Sequence, residues 1–277
     1  MEKNIQKGQD AEKFAYNLSR DKLLEKYCFL NPSILNSDNK EICDLLILTV
    51  ETCIIISIKN YSFSGNYERF EKQVFEKSKK QLLGAKRKLG LAGKCTLIDK
   101  NRKEQGVDFS KIKTYILITL NFGHKLDLYK MLEYEKENVI HNIDKDSFET
   151  IIYEIDSIPE VIEYFTKKEI LFSKSKTKNF IGEEKDLLAY FVTHKREFPK
   201  EWMDNNHDFV MIDIEGTWDD YNNHEQTLEK RKANKISYFV DDLIKKEISK
   251  LPQCGIISDY LSTLNRTERR LFAMTFF

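Results

Sequence analysis

Glycine and proline are scarce in this chain, whose 277 residues include only 10 Gly and 4 Pro. A β-sandwich with many tight turns needs more of both, so their scarcity favours long helices. The longest apolar run, residues 42–58, is broken by Asp44 and Glu51, which argues against a membrane-spanning helix. The stretch 2–13 is charged and unlike a signal peptide, so we expect a cytoplasmic protein with no membrane partner.

The five cysteines are odd in number and scattered, and no two of them form a Cys-x-x-Cys pair. This argues against a disulfide framework or a zinc site and predicts reduced thiols in the core. The chain has no glycine-rich phosphate loop, which argues against P-loop and Rossmann cofactor sites. Its 45 Lys and Arg balance 45 Asp and Glu, so a globally basic nucleic-acid binder is not indicated, and only a local basic patch stays open.

The run from residue 42 to 59 is the most informative segment that is present. Two aliphatic and β-branched stretches flank a polar break at residues 51–52, which predicts a β-hairpin with Asp44 opposite Lys59. Because side chains alternate faces along a strand, Ser57 and Lys59 are expected on the face that carries Asp44. A buried carboxylate and lysine are costly unless they are paired or bind something. Both a functional site and a structural ion pair therefore stay open.

A helical pattern precedes this hairpin and contains Gly8-Gln9-Asp10-Ala11-Glu12. In this order, Gly8 to Glu12, then Asp44, then Ser57-Ile58-Lys59, the chain resembles the PD-(D/E)xK nuclease superfamily. The similarity is to its Mrr-like, NERD-like and Holliday-junction-resolvase-like branch. Members carry a Gly-x-x-x-Glu helix, an Asp that opens a hairpin strand, and an acidic residue-x-Lys on the next strand. The resemblance covers roughly the first 120 residues.

The resemblance implies a metal-dependent DNA endonuclease, a hydrolase of phosphodiester bonds. It implies Mg²⁺ or Mn²⁺ bound by Asp44 and Glu12, and a Lys59 that positions the nucleophile. The catalytic set that it implies is Glu12, Asp44, Ser57 and Lys59. By the same resemblance, proteins of this kind often act in prokaryotic restriction or antiviral (anti-phage) defence.

Ser57 departs from the family pattern, because it stands where members usually have an acidic residue or Gln. A serine hydroxyl is a poor neutral substitute for a carboxylate as a ligand of a hard divalent cation. The family tolerates displaced acidic residues, and the nearby candidates are Glu51, Glu68 and Glu71. Two alternatives therefore stand beside the enzyme. One is an inactive nuclease-fold module that binds nucleic acid or a partner protein. The other is an interaction protein in a larger assembly.

The coarse pattern predicts an α/β (α+β) fold with a restriction-endonuclease-like core. A helix over 3–27, the hairpin, a helix over 68–89 and a buried strand at 114–120 give the order α-β-β-α-β, which suits a mixed sheet flanked by helices. We expect a nuclease-like domain over residues 1–125. Residues 126–277 are predicted to form a mostly helical accessory region that offers a surface for a protein partner or a second copy.

DNA is the expected partner of the helix over 68–89, which is rich in lysine. The residues predicted to contact phosphates, with salt-dependent and sequence-independent affinity, are Lys79, Lys80, Lys86 and Arg87. The alternative is an ordinary solvated helix face, because glutamates dilute the early part of the helix. Gln73 and Gln81 lie on the same helix, and in the nuclease interpretation they approach the site.

Overall fold

The structure is a computed structural model that describes residues 2–36, 40–126, 132–135, 138–174, 178–203, 210–248, 251 and 255–277. The chain divides into two compact units, of which the first takes in the described residues up to Phe148 and the second those from Glu149 to Phe277. The predicted α/β class is confirmed, since a mixed sheet lies between helices in the first unit and the C-terminal region is mainly helical.

The first unit contains helices on either side of its strands. Its helices are α1 (Glu2–Leu23), α2 (Tyr67–Glu71) and α3 (Lys77–Ala92), with a π-helical turn at Lys72–Glu76, and α4 (Lys145–Glu154) begins in it. Its strands are β1 (Cys28–Leu30), β2 (Ser33–Ile34), β3 (Leu45–Leu48), β4 (Thr52–Lys59), β5 (Lys94–Ile98), β6 (Glu104–Asp108), β7 (Thr114–Asn121), β8 (Leu132–Glu135) and β9 (Asn138–Asp144).

The larger sheet has the strand order β1-β3-β4-β7-β9-β8 within the described part of the chain. Strands β4, β7 and β9 run parallel to one another, while the pairs nearer the edges are antiparallel. The central strands are buried along nearly their whole length and are rich in Ile and Leu, as strands covered on both faces are. Leu82 and Leu89 of α3 pack on this sheet against Ile55 and Leu117.

The β3–β4 hairpin forms as predicted, but its register differs by two residues from the prediction. Leu45 pairs with Ile56 and Leu48 with Cys53. Continuing this register by one residue places Asp44 opposite Ser57 rather than opposite Lys59. The reason is the turn, which closes earlier than expected because the Thr49 amide donates to the Thr52 carbonyl at 2.9 Å.

Two loops that follow β4 and β7 are held together beside the end of the hairpin. The Phe122 amide donates to the Lys59 carbonyl at 2.7 Å, and the Asn121 side chain accepts from the Tyr61 amide at 3.2 Å. Gly123 lies so close to this loop that a Cβ atom there would be 2.3 Å from the Tyr61 carbonyl carbon. Only glycine permits that approach, so the backbone around Lys59 is fixed by its neighbours.

The predicted division between residues 125 and 126 needs correction. Strand β9 pairs in parallel with β7, from Leu117 opposite Ile140 to Asn121 opposite Asp144. This pairing makes β9 part of the first sheet, so the first unit extends to Phe148. A nuclease-like domain that ended at residue 125 would lack this strand.

The second unit is mainly helical and contains one short two-stranded parallel sheet in its described residues. Its helices are α5 (Ile158–Lys174), α6 (Glu184–Thr193), α7 (Thr217–Asn223), α8 (Glu225–Asn234), α9 (Tyr238–Lys246), α10 (Gly255–Thr263) and α11 (Arg266–Met274), and its strands are β10 (Lys178–Ile181) and β11 (Val210–Asp213).

Buried ion pairs are a feature of this second unit. The Lys168 ammonium lies 2.5 Å from the Glu184 carboxylate, and both side chains are fully buried. Tyr164 donates a second hydrogen bond to Glu184 at 2.6 Å. Arg266 is also buried and contacts Asp156 at 2.8 Å. Each charge is matched, which is the condition under which a protein interior accepts charged groups.

None of the helices in the described ranges is long and apolar enough to cross a membrane. Cys28, Cys43 and Cys53 are buried free thiols, and Cys95 is a partly buried one. These four agree with the expectation of reduced core thiols, while Cys254 lies outside the described residues.

Candidate active site at the end of the central hairpin

Asp44 lies just before β3, and its carboxylate is buried. One oxygen, Oδ2, accepts a short hydrogen bond from the Ile58 amide on the neighbouring strand. The other, Oδ1, accepts from the Gln81 side-chain amide of α3 at 2.9 Å. Backbone and helix therefore hold this carboxylate in one orientation at the end of the hairpin.

Lys59 is the last residue of β4 and reaches the same place. Its ammonium lies 3.8 Å from Asp44 Oδ2 and donates to Ser57 Oγ at 2.9 Å and to Gln81 Oε1 at 3.0 Å. Burial lowers the pKa of Lys59, and the negative charge of Asp44 acts in the opposite direction. The structure thus brings Asp44, Ser57 and Lys59 together as predicted, although the strand register differs.

Ser57 is enclosed within this arrangement and has no solvent exposure. Its hydroxyl lies 2.9 Å from Gln81 Oε1 and 3.2 Å from Ser78 Oγ, and it accepts from Lys59. A nucleophile must reach its substrate, and this hydroxyl is covered by α3. Ser57 therefore fixes Lys59 and Gln81 and is not a nucleophile in this conformation.

Glu12 lies on α1, which packs beside the hairpin, and its side chain is half-buried. Its Oε2 accepts from the Asn31 side-chain amide at 3.2 Å, and the Asn31 backbone amide donates to the Asp44 carbonyl at 3.0 Å. Burial raises the pKa of Glu12, and the negative charge of Asp44 raises it further. Glu12 is therefore within electrostatic reach of Asp44, with Asn31 between them.

Glu41 is a site residue that the sequence interpretation missed. The residue is exposed, but its carboxyl group is partly withdrawn from water beside Asp44 and Glu12. Burial raises its pKa to about 7, helped by the charge of Asp44, by a hydrogen bond to Asp44 and by the charge of Glu12. Its position three residues before Asp44 was the one signal available in the sequence.

The three acids proposed to compensate for Ser57 do not reach the site. Glu51 lies in the hairpin turn at the opposite end of β4, where it pairs with Lys113 at 2.6 Å. Glu68 and Glu71 are exposed on α2. The acid nearest to Asp44 in chain order and in contact with it is instead Glu41.

The four predicted phosphate contacts separate onto two flanks of α3. Lys80 and Arg87 are seven residues apart and exposed on one flank. Lys79 and Lys86 lie on another, where both are half-buried and Lys86 donates to Asn138 Oδ1 at 2.6 Å. Lys86 also lies 5.5 Å from the Tyr115 ring centre, so it serves packing within the unit.

The exposed flank of α3 leads toward the candidate site. Lys77 is exposed on the turn that precedes Gln81, and its positive charge contributes to the lowered pKa of Lys59. Its ammonium donates a hydrogen bond to Gln73 Oε1 at 2.5 Å. Of the two glutamines predicted to approach the site, Gln81 therefore reaches Asp44, while Gln73 binds Lys77.

A divalent cation can be tested against these donors. Across the described residues, no group of three or more Asp, Glu, His or Cys side chains is arranged to hold a metal ion. Magnesium commonly takes only one or two carboxylates and completes its shell with water. Asp44, Glu12 and Glu41 offer hard oxygen atoms, and the buried Asn31 Oδ1 beside them has no hydrogen-bond partner. This donor set fits a hard cation held by two carboxylates.

Comparisons with protein-family models, with curated proteins and with solved structures gave no match to this chain.

Proposed function

We propose that the protein hydrolyses phosphodiester bonds in DNA with the help of a divalent cation. The observation that supports this most directly is the pairing of the buried Asp44 carboxylate with the Lys59 ammonium, 3.8 Å apart at one end of a hairpin. The resemblance of Gly8–Glu12, Asp44 and Lys59 to the PD-(D/E)xK pattern adds the reaction class.

Asp44 is the main ligand in this proposal, and Glu12 is a supporting ligand, directly or through water. Mg²⁺ or Mn²⁺ held by these residues would polarise the phosphate and lower the pKa of a bound water. Asp44 suits this role because two hydrogen bonds, from Ile58 and Gln81, already fix its orientation. A ligand fixed in advance loses little freedom on binding.

Lys59 orients the attacking water and stabilises negative charge that develops on the phosphate. Its ammonium is held by Ser57 and Gln81, so it points toward Asp44 instead of into solvent. Gln81 connects the two because its amide donates to Asp44 and accepts from Lys59. Gln81 is thus a positioning residue.

DNA is the proposed substrate because exposed cations continue away from the site along α3. Lys77, Lys80 and Arg87 are exposed on that flank, where their charges suit a phosphate backbone, whose contacts fix orientation without reading sequence. Restriction or anti-phage defence is the biological setting that the resemblance suggests, and it remains part of the proposal.

A second candidate is a nuclease-fold module that binds nucleic acid or a protein partner without cleaving. Ser57 favours it, since a buried serine replaces the usual acid and Gln81 occupies one oxygen of Asp44. The second unit offers the surface for a protein partner or a second copy in that case.

Cleavage assays separate the two candidates. Wild type and Lys59→Ala are incubated with linear, circular and single-stranded DNA in Mg²⁺, Mn²⁺ or EDTA, with Lys113→Ala as the matched control. Lys113 pairs with Glu51 at the far end of the hairpin. The enzyme proposal predicts metal-dependent cleavage that is lost only in Lys59→Ala. Salt-sensitive DNA binding without cleavage in any metal supports the binding module instead.

A further inference from the structure

Position 57 leaves the proposed cation site one carboxylate short, and the structure contains another acid beside it. Glu41 precedes Asp44 by three residues, in the segment that leads into β3. Its carboxyl group lies close enough to Asp44 and to the Asn31 side chain to interact electrostatically with both. Acidic side chains that lie close together concentrate negative charge, which a bound cation neutralises.

A groove of about 750 Å³ opens beside Glu41 and Asn31, and the buried Asp44 lies behind its lining. Glu12, Asn31 and Glu41 line it, together with Asp99 and Lys100. Ser57 does not contribute to it, because its side chain is sealed beneath α3. A cation that enters the groove therefore meets Glu41 and not the serine of the family position.

Two residues that line this groove each carry a buried oxygen atom that accepts no hydrogen bond from the described part of the chain. Asn31 Oδ1 and Asp99 Oδ2 are both buried, and neither has a hydrogen-bond partner among the described residues. Asp99 as a whole is 5% exposed and uses its other oxygen to accept from the Asn101 and Lys103 amides. Buried acceptors are costly when unpaired, and a hydrated cation supplies both charge and water donors.

We propose that Glu41 is the second carboxylate ligand of the divalent cation, beside Asp44, and takes the part that Ser57 cannot play. The proposal rests on the proposed function, since it concerns the same cation. Asn31 donates to Glu12 through its amide nitrogen and lines the groove beside Glu41. It acts as a positioning residue for both carboxylates.

Manganese binding tests this assignment without relying on activity. Binding of Mn²⁺ is measured by titration calorimetry for wild type, Glu41→Gln and the control Glu51→Gln, whose carboxylate pairs with Lys113 in the hairpin turn. We expect Glu41→Gln to weaken binding about tenfold or more, as loss of a metal-site contact does, and Glu51→Gln to bind like wild type. Equal affinity of Glu41→Gln and wild type overturns the proposal.

Thermal unfolding in EDTA distinguishes loss of metal binding from a folding defect in the variant. Glu41→Gln keeps the size of the side chain, so its unfolding temperature without metal should equal or exceed that of wild type, and only the rise on adding Mn²⁺ should disappear. A variant that is less stable in EDTA and regains the same rise with Mn²⁺ has a structural Glu41 and refutes the assignment. If wild type itself neither binds Mn²⁺ nor cleaves DNA, the proposed function fails, which is a separate outcome.

Discussion

Replacing Glu41 with Gln should stabilise the metal-free protein at alkaline pH and leave it unchanged at acidic pH. Burial next to Asp44 raises the pKa of Glu41 from an ordinary 4.5 to about 7. A carboxyl group whose pKa is higher in the folded than in the unfolded protein stabilises the fold fully at pH values below its unfolded pKa. That contribution is lost as the pH rises from about 4.5 through about 7, because the unfolded state releases the proton first. Gln has no proton to lose, so the variant avoids the loss.

The size of the effect follows from the shift and from exposure. One pKa unit corresponds to about 1.4 kcal/mol, so a fully buried group with this shift would contribute about 3.5 kcal/mol. Glu41 is exposed as a residue, and solvent screening reduces the expected gain to about 1 kcal/mol.

Urea unfolding in EDTA at pH 4 and pH 8 measures this difference between wild type and Glu41→Gln. The expected result is equal stability at pH 4 and a variant more stable by about 1 kcal/mol at pH 8. A gain of the same size at both pH values would show that packing, and not charge, is responsible. A variant less stable at pH 8 would refute the account of repelling carboxylates at this site.

Three further results are expected. Gln81→Leu should lower the free energy of unfolding by about 1–3 kcal/mol in urea, because buried polar groups lose their partner; an unchanged value would mean that the amide network is not formed. Arg87→Ala should reduce the slope of log affinity for DNA against log salt concentration by about 1, as loss of one phosphate contact does. Lys86→Ala should mainly lower the stability of the protein. Equal salt slopes for the two variants would contradict the placement of these residues on two flanks of α3. Lys168→Ala should destabilise the second unit by about 3–5 kcal/mol, and adding Glu184→Leu should recover part of it; no recovery would argue against an uncompensated charge.

Much of the first unit could be predicted because its signals are local. The aliphatic runs around the polar break at residues 51–52 specify a hairpin, and the stretch at 114–120 specifies a buried strand. The register could not be derived in the same way, since it depends on hydrogen bonds within the turn at Thr49 and Thr52. A shift of two residues keeps every side chain on the same face, which is why Ser57 and Lys59 still converge as expected.

Strand β9 escaped prediction for a different reason. It is central and buried, yet it contains His141, Asn142 and Asp144, whose polar side chains interrupt the apolar pattern. Its place in the sheet follows from parallel pairing with β7, which the pattern of its own residues does not reveal. The domain limit predicted at residue 125 was wrong as a consequence.

The site was predicted only in part because its residues come from five separate segments. The motif order indicates Asp44, Lys59 and Glu12, whereas the acids near Ser57 in the sequence are Glu51, Glu68 and Glu71, which lie away from the site. Glu41 comes close to Glu12 and Asn31 only when α1 and the segment of Asn31 are folded beside the hairpin. The spacing of three residues between Glu41 and Asp44 is the one sequence signal, and it does not reveal the approach to Glu12.

The most direct test of the central claim measures Mn²⁺ affinity and DNA cleavage together for wild type, Asp44→Asn and Lys59→Ala. If Asp44 holds the cation and Lys59 assists the reaction, Asp44→Asn loses both metal binding and cleavage, whereas Lys59→Ala keeps metal binding and loses cleavage. If both variants bind Mn²⁺ and cleave DNA as wild type does, the paired carboxylate and lysine are structural and the assignment of an active site at the end of the hairpin is contradicted.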